Sequence, residues 1–172
     1  DALVAAEGPL TPRDTALRLA RAKAEAVAQL PGSAGALVLG CDSVFELDGQ
    51  SYGKPYTPEV AVERIAGMSG RTGTLHTGHW LVDTRRDPAL GEGATASADV
   101  QFAHMSAQEI RDYVATGEPL QVAGSFTLDG RGSVFVERVT GDPHAVIGLS
   151  LSTLRELLRA VGVSATSWWS AA

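Results

Sequence analysis

Residues 35–50, "GALVLGCDSVFELDGQ", decide the fold. The short, nearly continuous apolar run is the pattern of a strand covered on both faces, and "DGQ" ends it in a turn. Asp42 falls near the middle or end of that run, where a carboxylate is costly unless it is paired. A dozen positions later, in "YGKPYTPE", Lys54 stands between Gly53 and Pro55, and the proline restricts the lysine backbone to extended geometry. One carboxylate on a buried strand and one ammonium on a stiff turn are therefore the first groups whose chemistry needs explaining.

Upstream, "TPRDTALRLARAKAEAVAQLPG" predicts a helix capped by Thr11 or Asp14, with Leu17, Ala20, Ala24 and Leu30 near helical spacing and Pro31-Gly32 as the stop. Lys23 lies well inside it. Downstream, "TPEVAVERIAGMSG" predicts a second helix with Thr57 as cap, Pro58 at the first helical position, Glu59 in the first turn and Gly70 at the stop. "GTLHTGHWLVDT" and "ATASADVQFAHM", separated by "RRDPALGEG", predict a hairpin. "SAQEIRDYVATGEP" predicts a third helix, with Ser106 and Glu109 at capping-box spacing. "GSFTLDGRGSVFVERVTGD" predicts another hairpin around "DGRG". "DPHAVIGLSLSTLRELLRAVG" predicts one closing amphipathic helix with Leu151, Leu154, Leu157 and Leu158 on one face and Gly162 as its stop, and residues 164–172 read as a flexible tail. Helices and strands alternate without the Gly-rich strand-to-helix loop of a dinucleotide or P-loop unit. The expectation is one α/β domain over residues 1–172, a mixed sheet flanked by helices.

Composition narrows the function classes. The 172 residues, 44% hydrophobic and 20% charged, suffice for a real core. A formal charge of -6 argues against a protein that wraps a nucleic-acid polymer, though a few local cations suffice for a single nucleotide. No stretch approaches the roughly 18 consecutive apolar residues of a membrane span. The single cysteine, Cys41, excludes an internal disulfide framework and a multi-cysteine zinc site, which fits the cytoplasm.

Four ionisable residues carry matching requirements. Lys54 suits a phosphate as a point charge, Arg71 in "SGRTGTLHTG" suits one as a donor fork, and Lys23 can project from its helix. Each has an ordinary solvated role when taken alone. Together with Asp42 they suit a metal-bound polyphosphate, the cations neutralising oxygens and the carboxylate holding metal or water. His76, His79, His104 and His144 offer no metal spacing: His76 and His79 are three apart in a strand, where such residues point to opposite faces, so both read as structural. Cys41, buried beside Asp42, is expected to have a raised pKa and to be a poor nucleophile. Ser43 has no histidine partner for a hydrolytic triad.

In order, "LARAKA", "LGCDSV", "GKPYTPEVA", "MSGRTGTLHTG", "YVATGEPLQVAGSFTLDGRG" and "GDPHAVIGLSLSTLRELL" resemble the Maf family, the septum-formation-like nucleoside triphosphate pyrophosphatases, from about Leu19 to Gly162. The resemblance implies a mixed sheet flanked by helices, two lobes around a cleft as in the inosine triphosphatase group. It implies hydrolysis of a nucleoside triphosphate to the monophosphate and pyrophosphate with a divalent cation, Mg2+ or Mn2+, in clearance of noncanonical or modified nucleotides. It also implies a cytoplasmic enzyme and a homodimer. By the resemblance Asp42 matches the catalytic, metal-binding aspartate, Lys23 and Lys54 the phosphate-binding lysines, and Arg71 and Thr77 the "SGRT…T" motif. Phe126 is a candidate to stack on a base, with core packing the equal alternative.

Two departures stand out. The family begins with a strand and a Ser-x-x-Pro-Arg-type phosphate loop followed by an Asp-Glu pair, whereas this chain opens with "DALVAAEG" where that pair has just ended. About thirty residues of the family pattern are absent, which implies reduced or no activity and an exposed sheet edge. In the base-selecting loop "VAGSFTLDG", Val122 replaces the lysine of the branch selective for thymidine and uridine triphosphates, while Thr127 and Asp129 stand where the methylguanosine branch has Lys and Glu. The expectation is a broad or non-thymidine preference. Two alternatives remain: a non-catalytic nucleotide-binding regulator of septum formation, and a pyrophosphatase of the inosine triphosphate type.

Overall fold

A computed structural model describes residues 10–169. Five strands form one sheet in the order β2-β1-β3-β4-β5, with β1 at Leu37–Leu47, β2 at Gln50–Tyr52, β3 at Thr72–Asp83, β4 at Leu90–Phe102 and β5 at Val136–Gly141. Helices α1 (Pro12–Ala28), α2 (Pro58–Met68), α3 (Ala107–Ala115), α4 (Pro143–Ile147) and α5 (Leu151–Ala160) flank it. The mixed α/β expectation holds, and Asp42 lies in the middle of β1. The "DG" after β1 does more than end the strand. Asp48 and Gly49 both adopt positive φ, 53° and 75°, the turn that folds β2 back antiparallel with Phe45 opposite Tyr52.

The chain divides into two compact units. The first comprises residues 10–42, 77–96 and 149–169. Here α1, capped by Thr11 whose side chain accepts the Asp14 N–H, buries a stripe of Ala16, Ala20 and Ala24. The stripe is of alanines because the strands come very close. A Cβ at Gly40 would sit 2.3 Å from the Ala20 carbonyl oxygen, and one at Gly78 would sit 2.4 Å from that of Ala16. Glycine at these two strand positions removes the obstacle to helix-on-sheet contact. Leu81, Leu157, Leu158 and Val161 form the apolar core of this unit. Asp83, fully buried, is paired by Arg85 at 2.7 Å and Arg86 at 3.3 Å. The Arg85 hydrogen bonds outweigh burial and hold its carboxyl at about 2.

The second unit comprises residues 43–76 and 97–148. Its core is Phe45, Leu47, Met68, Leu75, Val100, Phe102 and Phe126, with Phe126 edge-on to Phe102 and Phe45 at 4.9 and 5.5 Å. Thr57 caps α2, and Ser106 with Glu109 completes the capping box of α3, as their spacing predicts. The two helices share Ala61, Ile65, Ile110, Tyr113 and Val114.

Two expectations are corrected. The segment around "DGRG" is not a hairpin: Arg131–Phe135 is a 3-10 helix, and β5 pairs with β4 instead, Val139 opposite Val100. The backbone N–H groups of Arg131 and Gly132 donate to the Glu118 carboxylate at 3.0 Å each, which withdraws them from any strand ladder. The closing helix is two helices, because Gly148 at φ 121° stops α4 and Ser150 caps α5. Leu151 is consequently 52% exposed and not part of the buried face. Within the predicted tail, Ala165–Trp168 form a 3-10 turn, and residues 170–172 lie outside the described residues.

Candidate functional site

Lys23 and Asp42 meet in the first unit. Ala24 packs against Gly40, so its neighbour Lys23 is carried toward the strand, and Asp42 shares the face of Gly40 by the two-residue period. Lys23 Nζ lies 2.7 Å from Asp42 Oδ2, the lysine side chain 59% and the aspartate 21% exposed. The pair is open enough for a ligand to reach and too exposed to serve stability, since an ion pair of this kind is worth about 0 to 1 kcal/mol. Burial, then the neighbouring Asp42 charge, pushes the Cys41 thiol up against the opposing pull of Lys23, the expected direction, on a side chain that is half-buried rather than buried. Thr77, in β3 of the same unit, is fully buried and presents no surface to a ligand.

The other candidates belong to the second unit. Lys54 is exposed on a braced turn: Arg64 donates to the Gly53 carbonyl at 2.6 Å, and Tyr56, at φ 63°, donates its N–H to the Leu120 carbonyl at 3.0 Å. Arg71 is already engaged, its Nη2 lying 2.6 Å from both Asp48 carboxylate oxygens and its Nη1 donating to the Gly67 carbonyl. A phosphate would have to compete with Asp48 for that fork. Phe126 belongs to the aromatic core, yet it also lines a cavity of about 160 Å³ together with Ser43, Val122, Thr127 and Asp129. Thr127 Oγ1 donates to Glu118 Oε1 at 2.5 Å, and Asp129 is exposed.

The histidines in β3 have the structural roles their spacing suggests. His76 lies between Ser97 at 2.8 Å and Glu46 at 2.9 Å, and His79 Nε2 accepts the Ser150 N–H at the start of α5. Among the described residues no three His, Cys, Asp or Glu side chains group closely enough to cage a metal. A lone strand carboxylate fits a hard cation that keeps most of its waters and takes its remaining oxygens from a phosphate chain. No helix of the described residues is long and apolar enough to cross a membrane.

Fold and site thus define an α/β protein whose strand β1, second from the edge of the sheet, carries a lysine-paired aspartate. Residues 4–161 match the Maf-like protein family, and the chain belongs to that family. It is 50% identical over 177 residues to a nucleoside triphosphate pyrophosphatase of Leifsonia xyli, an alignment covering 99% of this chain and 82% of the relative. Its identity to a protein of the same name from Streptomyces avermitilis is 52% over 159 residues, covering 92% and 76%. A nucleoside triphosphate pyrophosphatase/Nudix hydrolase fusion protein of Bifidobacterium longum is 47% identical over 85% of this chain, which spans 31% of that longer protein.

Proposed function

We propose that the chain hydrolyses a nucleoside triphosphate to the nucleoside monophosphate and pyrophosphate. The observation that carries the reading is the Lys23–Asp42 pair at 2.7 Å in a chain half identical to proteins named for this activity. In the proposed reaction water attacks the α phosphorus, the bond to the bridging oxygen breaks in line, and pyrophosphate leaves with that oxygen. Asp42 accepts the proton from the attacking water, and Lys23 orients the carboxylate and then stabilises charge on the phosphate oxygens. Lys54 and Arg71 bind phosphate oxygens, Arg71 exchanging its Asp48 partner for substrate. Phe126, Thr127 and Asp129 contribute to the base site beside the 160 Å³ cavity. A divalent cation, Mg2+ or Mn2+, held by Asp42 and the substrate phosphates would supply charge neutralisation and water activation.

A cytoplasmic location, clearance of noncanonical or modified nucleotides as the purpose, and a homodimer as the working assembly belong to the same proposal. The test is pyrophosphate release by the full-length protein from standard, methylated and deaminated triphosphates with magnesium or manganese. Release with one base class preferred supports the reading. A folded protein that binds nucleotides and releases no pyrophosphate from any of them is instead the non-catalytic regulator.

A further inference from the structure

We propose that Glu118 is a positioning residue for base selection, its carboxylate pinning the 127–132 loop and its turn bracing the backbone around Lys54. The proposal rests on the pyrophosphatase reading for its substrate class and on the geometry of the second unit alone for its mechanism.

Four donors converge on this side chain. Oε1 accepts from the Thr127 hydroxyl at 2.5 Å, the Gly132 N–H at 3.0 Å and the Tyr113 hydroxyl at 3.1 Å, while Oε2 accepts from the Arg131 N–H at 3.0 Å. Three of the four bonds crowd onto Oε1 and one reaches Oε2, so the carboxylate is committed chiefly to holding the loop. Burial pushes the Glu118 carboxyl up, and the bonds from Thr127, Gly132, Arg131 and Tyr113 outweigh it, leaving it at about 2. The loop is drawn so tightly around the carboxylate that a Cβ at Gly130 would lie 2.8 Å from Glu118 Oε1, and one at Gly132 would lie 2.5 Å from the Tyr113 hydroxyl. Thr127 and Asp129, which line the 160 Å³ cavity, therefore take their places from a charge outside the cavity lining.

The same residue opens the 3-10 turn Glu118–Gln121, whose Leu120 carbonyl receives the Tyr56 N–H. Tyr56 is two residues from Lys54. Arg64 fixes the other side of the lysine through Gly53. One turn thus joins the loop proposed to read the base and the loop proposed to bind phosphate.

Glu118→Gln tests this with little change of shape. The amide keeps an oxygen for Thr127, Tyr113 and Gly132 but sets an NH2 group against the Arg131 N–H, donor against donor. The measurement is kcat and KM for the preferred and a disfavoured triphosphate, with melting temperature. In parallel, calorimetry follows binding of α,β-methylene analogues, which cannot release pyrophosphate. The expected result is a ratio of kcat/KM between the two bases that falls about tenfold, mostly through KM, with kcat at saturation changed less than about threefold. Glu118→Asp, which keeps the charge but is one methylene shorter, gives an intermediate ratio and carries the test should the glutamine variant not fold. A uniform loss of kcat/KM for both bases, with the ratio intact, overturns the proposal and leaves Glu118 a purely structural residue. A wild type that binds analogues selectively but releases no pyrophosphate overturns the hydrolase reading, and the Glu118 comparison is then decided on binding ratios. A wild type without base preference in either readout overturns the proposal.

Discussion

Replacing Gly40 by alanine should damage catalysis through a contact that no ligand touches. The added Cβ would lie 2.3 Å from the Ala20 carbonyl oxygen, 2.8 Å from the Ala24 nitrogen and 2.9 Å from the Ala24 Cβ. The first two are backbone atoms of α1, so no side-chain rotation relieves the clash, and the helix must retreat by about 1 Å to reach ordinary contact. Overpacking of this kind costs about 1 to 3 kcal/mol, which for a chain of this size lowers the melting temperature by roughly 2 to 12 °C. Because Lys23 adjoins Ala24, the same retreat lengthens the 2.7 Å Lys23–Asp42 contact. A misplacement of about 1 Å in a catalytic constellation is worth about 100-fold in rate. The assay is pyrophosphate release per folded molecule beside a thermal melt, with Gly32→Ala as control, since a Cβ there meets nothing within 4 Å. Gly40→Ala with both melting temperature and turnover at wild-type values would refute the packing account of how Lys23 reaches Asp42.

Ser106→Ala removes the hydroxyl that accepts the Glu109 N–H in the capping box and should cost about 1 kcal/mol, read as a lower melting temperature with pyrophosphate release unchanged. Asp83 and Glu118 are both held at about 2, below their ordinary 3.8 and 4.5, so the unfolded chain takes up protons first on acidification. Their stabilisation is complete above about pH 5 and lost as the pH falls toward about 2; a melting temperature flat across that window would contradict both assignments. Val122 in place of a lysine leads us to expect no strong preference for thymidine triphosphate, and a triphosphate panel in which thymidine dominates would contradict it. Asp48→Asn weakens the competitor for the Arg71 fork and should lower KM for triphosphate; an unchanged or raised KM would remove Arg71 from the phosphate site.

Much of the fold was legible because its signals are local. The Thr57-Pro58 start of α2, the Ser106–Glu109 box and the apolar run of β1 each declare themselves within a few residues. The hairpin wrongly read around "DGRG" fails for the opposite reason, since the side chain that reshapes Arg131 and Gly132 lies at position 118, across a turn. The split of the last helix was signalled by Gly148 and Ser150, but the leucine period running past them outweighed those two residues. At the site, charge requirements singled out Lys23, Lys54, Arg71 and Asp42, yet not their partners. The bond from Lys23 to Asp42 spans nineteen residues and depends on glycine at position 40, and the Arg71–Asp48 pair joins a strand start to a distant turn. Glu118 escaped notice because a glutamate between glycine and proline looks like an ordinary turn residue until its donors are assembled around it.

The most direct test of the central claim is hydrolysis of a preferred triphosphate with magnesium in water enriched in heavy oxygen, comparing wild type with Asp42→Asn and following the label in the products. Attack at the α phosphorus with Asp42 as proton acceptor predicts label in the monophosphate, unlabelled pyrophosphate, and a rate lower by orders of magnitude in a variant that melts like wild type. Label in the pyrophosphate, release of orthophosphate instead, or near-normal turnover by Asp42→Asn would contradict it.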